Sequence, residues 1–401
     1  MSPLAGLAIA TVLTLVPVTL LVPGLSELVI GAHQATRAEA HAFMAVNMMS
    51  GMLAVAPIMI LVRRRPVLTR TLVLLLLADA ALFALMGEAR TIGQLLLVRT
   101  LDGAVHLPAV TLLMVAANRI AGERRGASLG VIAGSLMVGI AIGAPLGGAL
   151  VEAGPTTVYR VGAALLTAAA LAGALAMRRV PQAAPAATGR SRYRFDVRAA
   201  HAWMPLILGF MDRFTIGVFS STFTLYLAEV LRVSPAQRGV LVSLFTAPFA
   251  LLCWPAGRLA DRVGWLGPMI IGNLGFGIVY ASYGATPAGL LPLVMVASGV
   301  FSALMYAPNL VLVAEMSRRG AGEGLFGAFQ IAGSLGFLAG PVVGGVLVEV
   351  SRRVTAGGEV AWAPIFALVG GLVVIVGLTA LAVLRPLARA WSQGDPEPSP
   401  A

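Results

Sequence analysis

Long apolar runs recur along the chain and constrain its fold more than any other feature. A helix that crosses a bilayer needs about 20 mostly apolar residues, because the hydrocarbon slab is about 30 Å thick. The sequence supplies such runs repeatedly, and with 58% hydrophobic and 11% charged residues it exceeds what an ordinary soluble core can bury. The runs lack the alternation of a membrane β-barrel, so they predict an all-α integral membrane protein.

Twelve runs are predicted to be transmembrane helices, in two sets of six. The first set is 4–31, 39–62, 67–87, 92–117, 126–150 and 157–177, and the second is 202–231, 236–257, 265–285, 288–316, 322–350 and 361–384. The first run is too long for a cleaved signal peptide, so we interpret it as a span. These boundaries predict an N-terminal six-helix bundle at 1–177, a cytoplasmic linker at 178–200, a C-terminal six-helix bundle at 201–385 and a cytoplasmic tail at 386–401.

The positive charge of the chain follows the loops between these runs. All 28 basic residues are arginines, the net charge is +11, and most arginines lie in the linker or in loops after even-numbered spans. An excess of arginine marks the cytoplasmic side of a membrane protein, so both termini are predicted to be cytoplasmic. The same distribution favours the lipid bilayer over nucleic acid as the partner.

The sequence lacks motifs that would support other functions. The one cysteine, Cys253, allows no intrachain disulfide. The four histidines are too scattered for a metal tract, so we expect no metal and no cofactor. There is no GxxxxGK[ST] phosphate loop to hydrolyse ATP. We therefore expect a protein that is not an enzyme and that draws its energy from a gradient.

A repeat within the chain indicates two halves of common origin. The residues Gly139, Gly143, Gly147, Gly148 and Glu152 of span 5 recur 197 positions later in span 11, as Gly336, Gly340, Gly344, Gly345 and Glu349. Two halves of one ancestry are the simplest explanation. The expected architecture is therefore two pseudo-symmetric six-helix bundles.

The predicted loop after span 8 carries Gly257-Arg-Leu-Ala-Asp261-Arg262-Val-Gly264, which resembles the cytoplasmic motif A of the major facilitator superfamily. Glycine permits a tight turn, and Asp261 is suited to cap the following helix or to pair with arginine. We predict a gating motif of Gly257, Asp261, Arg262 and Gly264, with a generic polar turn as the alternative. We call the expected pairing of Asp261 with a nearby arginine the latch. The equivalent first-half loop lacks the glycine and aspartate of the motif, so the latch is expected to be asymmetric.

Span 4 contains Arg99, Asp102, Gly103 and His106 and resembles motif B of the same superfamily. These residues share one helical face, since positions i, i+3, i+4 and i+7 are neighbours. An intramembrane charge is costly and usually marks a pathway or a partner. Arg99 and Asp102 are predicted to take part in proton coupling. The alternative is a self-neutralising pair that only holds the bundle together.

Small residues recur four apart in spans 5 and 11, a spacing that lets helix backbones approach closely. The pattern resembles the antiporter-associated motif C of the superfamily, and by that resemblance it favours export over import. Ordinary helix packing remains the alternative. The predicted packing motif is Gly139, Gly143, Pro145 and Gly147 in span 5 with Gly336, Gly340, Pro341 and Gly344 in span 11.

Acidic and amide side chains in other spans complete the predicted site. Glu27 in span 1 and Asp212 in span 7 are the further proton-coupling candidates, because both spans line the central cavity in the fold that the chain resembles. We predict that Glu27 pairs with Arg99 and that Asp212 faces the substrate. The substrate-cavity candidates are Asn47, Asp79, His106, Arg213, Asn309 and Gln330.

The resemblance covers nearly the whole chain and is strongest to the twelve-span drug:H⁺ antiporters. It implies a monomeric secondary transporter that exports a small molecule in exchange for protons, by alternating access around a central cavity. A uniporter, an importing symporter, and a receptor-like or assembly protein of the same fold remain alternatives, because fold does not determine function.

Overall fold

The computed structural model describes residues 2–64, 67–120, 125–178, 200–317, 324–355 and 358–393. In this part of the chain the regular elements are all helical, and twelve helical stretches are long and apolar enough to cross a membrane. The predicted fold class and number of spans are thereby confirmed. Most of the predicted linker and the second half of the predicted tail lie outside the described residues, whereas residues 386–393 of that tail continue the last helix.

Six helices precede the predicted linker, and seven follow it. The first half contains α1 (Pro3–Leu20), α2 (Arg37–Arg64), α3 (Leu68–Met86), α4 (Ile92–Ile120), α5 (Arg125–Glu152) and α6 (Pro155–Met177). The second half contains α7 (Ala200–Val218), α8 (Thr224–Glu229), α9 (Pro235–Val263), α10 (Leu266–Ala281), α11 (Leu291–Met316), α12 (Gly324–Val354) and α13 (Trp362–Gln393). Span 7 consists of α7 and α8, so spans 8 to 12 correspond to α9 to α13.

Spans 1 and 7 are not continuous α-helices. The first α-helix ends at Leu20, and after a short turn that contains Pro23 the chain forms a π-helix at Ser26–Gly31. Span 7 has a π-helix at Phe219–Phe223 between α7 and α8. Proline has no backbone N–H to donate, which accounts for the break in span 1. The π turns in spans 1 and 7 are of interest because such turns are frequent at functional sites.

The motif A segment is helical, which corrects the prediction of a loop. Helix α9 continues to Val263, and the turn that ends it is at Gly264, whose φ is +88°. Gly257 lies within the helix, where an added Cβ would meet open space, so it does not form the tight turn. Asp261 does not cap the next helix either, since no side chain caps α10.

The chain divides into two compact units, each with its own apolar core. The first comprises Met1–Thr188 with Ser220–Ser243, and the second comprises Gly189–Phe219 with Leu244–Ala401. The end of span 7 and the start of span 8 thus belong to the first unit, whereas the boundaries drawn from sequence assign them to the C-terminal bundle. The two cores include Leu7, Leu72 and Leu112 in the first unit and Leu208, Met269 and Leu312 in the second.

Glycines bring spans into close contact in equivalent places of the two units. In the first, a Cβ on Gly143 or Gly147 would collide with the backbone of α1 at Val16 or Leu20. In the second, a Cβ on Gly340 would collide with the backbone of α7 at Gly217. Close backbone approach is what small residues permit in membrane helices. The packing prediction therefore has a physical basis in both units, while a role in export remains an expectation.

We expect Gly340→Ala to lower the free energy of unfolding by about 1–3 kcal/mol, because the added methyl group overpacks the contact with α7. The matched control is Gly327→Ala in the same helix, where an added Cβ meets nothing within 4 Å. This control should unfold at the same temperature as the wild type or at a slightly higher one. Thermal unfolding of the purified proteins in detergent measures both, and equal losses in the two variants would contradict the packing role.

Candidate functional site

A buried polar cluster connects α2 and α4 in the first unit. Arg99 Nη1 lies 2.6 Å from Asp102 Oδ2, and Asn47 Nδ2 donates to the same oxygen at 2.8 Å. Arg99, Asp102 and Asn47 are each at most 3% exposed. The guanidinium of Arg99 also lies 4.9 Å from the ring centre of Phe43. The predicted Arg99–Asp102 pair is thus present, and Asn47 supports its carboxylate.

Helix α3 adds a second carboxylate to this cluster. His106 Nδ1 lies 2.6 Å from Asp79 Oδ2, and Asp79 is completely buried. The carboxyl groups of Asp79 and Asp102 are within hydrogen-bonding reach of each other. At about 1.5 Å per residue, Asp79 and Asp102 each lie about 15–17 Å along their helices, near the middle of a membrane. Two carboxylates, a guanidinium, an imidazole and an amide from α2, α3 and α4 therefore lie together in one buried cluster.

Gly103 makes this meeting possible. A Cβ at that position would collide with the carbonyl oxygen of Asn47 and with the hydroxyl of Ser50, so only glycine lets α4 approach α2 so closely. The hydroxyl of Ser50 donates to the same carbonyl at 3.1 Å. The glycine of the motif B pattern thus positions Asn47 against Asp102.

The charges of the cluster do not balance when both carboxylates are ionised. Arg99 supplies one positive charge against Asp79 and Asp102, and a neutral His106 adds none. Asp79 Oδ1 and Asp102 Oδ1 each lack a hydrogen-bond partner among the described residues. An uncompensated charge in a dry interior is costly, so one proton held within the cluster would stabilise it and supply a missing donor.

Glu27 belongs to a different group, which joins the π-helix of span 1 to the start of α9 in the first unit. Its carboxylate forms an ion pair with Arg238 of α9, whose side chain is almost fully buried. Arg238 Nε also donates to the carbonyl of Val233 at 3.0 Å. A second ion pair joins Arg37 and Glu229 at 2.7 Å. The expected pairing of Glu27 with Arg99 is therefore wrong, because each has another partner.

The second unit has its own buried acid. Asp212 in α7 is 2% exposed, and its Oδ2 lies 3.4 Å from Arg213 Nε. Neither carboxylate oxygen accepts a hydrogen bond from a described residue. The guanidinium of Arg213 lies 4.9 Å from the ring centre of Tyr306, and the Arg213 side chain is 28% exposed. Asp212 is thus a buried carboxylate, and the adjacent Arg213 is a partly exposed cation.

The remaining predicted residues are spread over the second unit. Asn309 is buried and donates to the carbonyl of Pro205 at 3.2 Å, which gives it a packing role, whereas Gln330 is exposed on α12. Asp261 and Arg262 are exposed, and no described residue forms an ion pair with Asp261. Arg258 instead stacks on Trp254. The latch at Asp261 therefore remains a prediction.

The described residues contain no group of three or more His, Cys, Asp or Glu side chains suited to a metal ion. A Gly-Ala-Ser-Leu-Gly string at 126–130 has the spelling of a hydrolase nucleophile elbow, but it lies within helix α5. Such an elbow requires a turn from a strand to a helix. The described geometry is therefore that of buried charge clusters between membrane helices.

A family model decides the classification. The model described as Major Facilitator Superfamily matches residues 7–207 and 205–400 of the chain. The chain belongs to the major facilitator superfamily. The motif resemblances at spans 4, 5, 8 and 11 are thus resemblances within the chain's own family.

Three curated bacterial proteins are similar to parts of the chain. The chain is 29% identical over 218 residues to the multidrug efflux pump LfrA of Mycolicibacterium smegmatis, which covers 53% of this chain and 39% of the relative. It is 32% identical over 124 residues to the puromycin resistance protein pur8 of Streptomyces alboniger, covering 30% and 24%. It is 33% identical over 141 residues to a probable actinorhodin transporter of Streptomyces coelicolor, covering 34% and 23%. The matches span less than half of each relative.

Solved structures of the superfamily share the fold. A bacterial homologue of the human lysosomal transporter Spinster, in an inward-facing and unoccupied conformation, superposes with a TM-score of 0.78 at 15% identity, covering 100% of this chain and 98% of that one. The nucleoside transporter NupG gives a TM-score of 0.73 at 14% identity, covering 96% and 100%. At such low identity these likenesses concern the major facilitator fold alone.

Sequence patterns and packing contribute differently to the site of this major facilitator chain. Arg99, Asp102 and His106 were predicted to share a face of span 4, and the structure has them in one cluster. Asp79 and Asn47 were only separate cavity candidates, and Arg238 was not a candidate at all. Arg238 is the fourth residue of α9, close to the end of that helix, so the sequence alone does not distinguish it from a loop arginine.

Proposed function

We propose that this chain is a proton-coupled exporter of small molecules in a bacterial inner membrane, with both termini in the cytoplasm. The observation that carries the proposal is the buried cluster of Asp79, Asp102, Arg99 and His106, whose charges balance only when it holds a proton. Similarity to a multidrug efflux pump supports the direction of transport. The excess of arginine in the loops after even-numbered spans supports the proposed cytoplasmic location of both termini.

In this proposal one proton moves on and off the two carboxylates. With the proton bound, one carboxyl donates to the other, and Arg99 balances the remaining negative charge. When the proton leaves, the cluster carries an uncompensated charge in a dry site, which destabilises that arrangement of α3 and α4. Binding of the proton thus favours one state of the transporter over another by its differential affinity, which is what coupling requires.

The substrate is proposed to meet the accessible part of the second unit. Arg213 lies about 20 Å along α7, and a partly exposed charge at that depth is not stable against hydrocarbon, which supports its proposed place in a wet cavity. The guanidinium of Arg213 contacts the ring of Tyr306 and lies next to the buried carboxylate of Asp212. Aromatic and charged groups of this kind orient small organic molecules in a cavity.

The test begins with a thermal-stabilisation screen over a drug panel that includes puromycin, because a ligand raises the unfolding temperature of the state it binds. A compound that stabilises the protein is then followed in proteoliposomes with a pH indicator inside. We expect counterflow of the compound, and we expect protons to move in the direction opposite to the compound. Counterflow without proton movement would indicate a uniporter, and proton movement in the same direction a symporter. No counterflow with any stabilising compound would contradict transport.

A further inference from the structure

One face of α9 carries an exposed stripe that the proposed transport site does not use. The stripe consists of Leu251, Trp254, Pro255, Arg258, Leu259 and Arg262, at positions i, i+3, i+4, i+7, i+8 and i+11 of one helical face. Leu251 and Trp254 are 75% and 66% exposed. Its last five members line a shallow groove at the end of the helix.

The two arginines of the groove have no acidic partner in the described part of the chain. The guanidinium carbon of Arg258 lies 4.0 Å from the ring centre of Trp254, so the arginine is held against the indole. Arg262 lies one helical turn further on. Asp261 is exposed beside them but forms no ion pair with either. The groove therefore presents two guanidinium groups with donors to spare.

The depth of these groups matches the profile of a lipid monolayer. At about 1.5 Å per residue, Arg262 lies about 2 Å and Arg258 about 8 Å from the end of α9 at Val263, within reach of a headgroup layer. Tryptophan is enriched at this interface, and Leu251 lies deeper, where acyl chains are. The groove is thus cationic at its outer end and apolar at its inner end.

We propose that this groove binds an anionic phospholipid. The phosphate lies between Arg258 and Arg262, and an acyl chain lies along Leu259, Trp254 and Leu251. Arginine suits this role because its planar fork donates two parallel hydrogen bonds to phosphate oxygens. A net anionic headgroup is favoured over a zwitterionic one, because none of the residues that line the groove is acidic and could pair with a choline or ethanolamine cation. Asp261 lies outside the groove, on the adjacent face of the helix.

The test is thermal stabilisation of the detergent-purified full chain, titrated with phosphatidylglycerol, phosphatidylcholine or inorganic phosphate. We expect phosphatidylglycerol to stabilise the wild type and the other two to have little effect. Arg258→Gln and Arg262→Gln should each weaken the phosphatidylglycerol response about fivefold, the effect of one arginine near an anionic surface. The double variant should lose it almost entirely. Arg258→Lys, which keeps the charge and loses the fork, should lie between.

The matched control is Arg385→Gln, which removes an exposed arginine from the corresponding end of α13. It should respond to phosphatidylglycerol like the wild type. All the altered side chains are exposed, so the variants should unfold like the wild type without lipid, and the comparison does not depend on the transported substrate. An equal loss in Arg385→Gln would overturn the site in favour of diffuse attraction. An equal response to phosphatidylcholine or inorganic phosphate would overturn the choice of ligand.

Discussion

Arg99→Ala is expected to lower the free energy of unfolding by about 3–5 kcal/mol, because it leaves Asp102 in a dry site without its cation. Asp102 retains the hydrogen bond from Asn47, which does not replace the lost positive charge. Removing both partners in Arg99→Ala/Asp102→Ala should restore most of the stability, since no uncompensated charge remains. Transport should stay lost in the double variant, because the proton cluster is incomplete. Unfolding in detergent and counterflow in proteoliposomes provide the two readouts.

The matched control for this cycle is the exposed pair of Glu349 and Arg352 in α12. It has the same i,i+3 spacing, with 2.9 Å between Arg352 Nη2 and Glu349 Oε1, but both side chains are open to solvent. Exposed pairs contribute little to stability, so Arg352→Ala should unfold nearly like the wild type. If the Arg99 and Asp102 double variant recovered transport as well as stability, the pair would be structural only.

Substrate-driven proton release is expected to disappear in Asp79→Asn and in Asp102→Asn. The cluster is built to hold about one exchangeable proton, and an amide at either position removes the carboxylate pair that shares it. Glu27→Gln should still release protons, because the Glu27 carboxylate is paired with Arg238, away from the cluster. The measurement is the pH change on adding a stabilising compound to detergent-solubilised protein in weak buffer.

Two further observations make this prediction specific. Infrared absorption of a protonated carboxyl group should be present in the wild type and in Glu27→Gln and reduced in Asp79→Asn, whether or not a substrate is known. Asp212→Asn should keep the proton release and lose affinity for the compound, because Asp212 is proposed to face the substrate with Arg213. Full release in both cluster variants together with loss in Asp212→Asn would move the proton site to the second unit.

The face shared by Arg99, Asp102 and His106 was predictable because it depends on helical spacing within one span. The same local logic predicted close packing at Gly143 and Gly340. It did not predict the helical state of the motif A segment, where a glycine at position 257 suggested a turn. In the structure α9 continues to Val263, and it is Gly264, with its positive φ, that ends it.

The number of spans, the helical class and the repeat of two halves follow from patterns along the chain, because a bilayer imposes one length and one hydrogen-bonding rule on every segment that crosses it. The pairing of charges does not. Asp79 meets His106 across 27 positions and Glu27 meets Arg238 across 211. Such partners are set by the depth and rotation of each helix against its neighbours, and these depend on packing contacts between distant residues, such as that of Gly103 with Asn47.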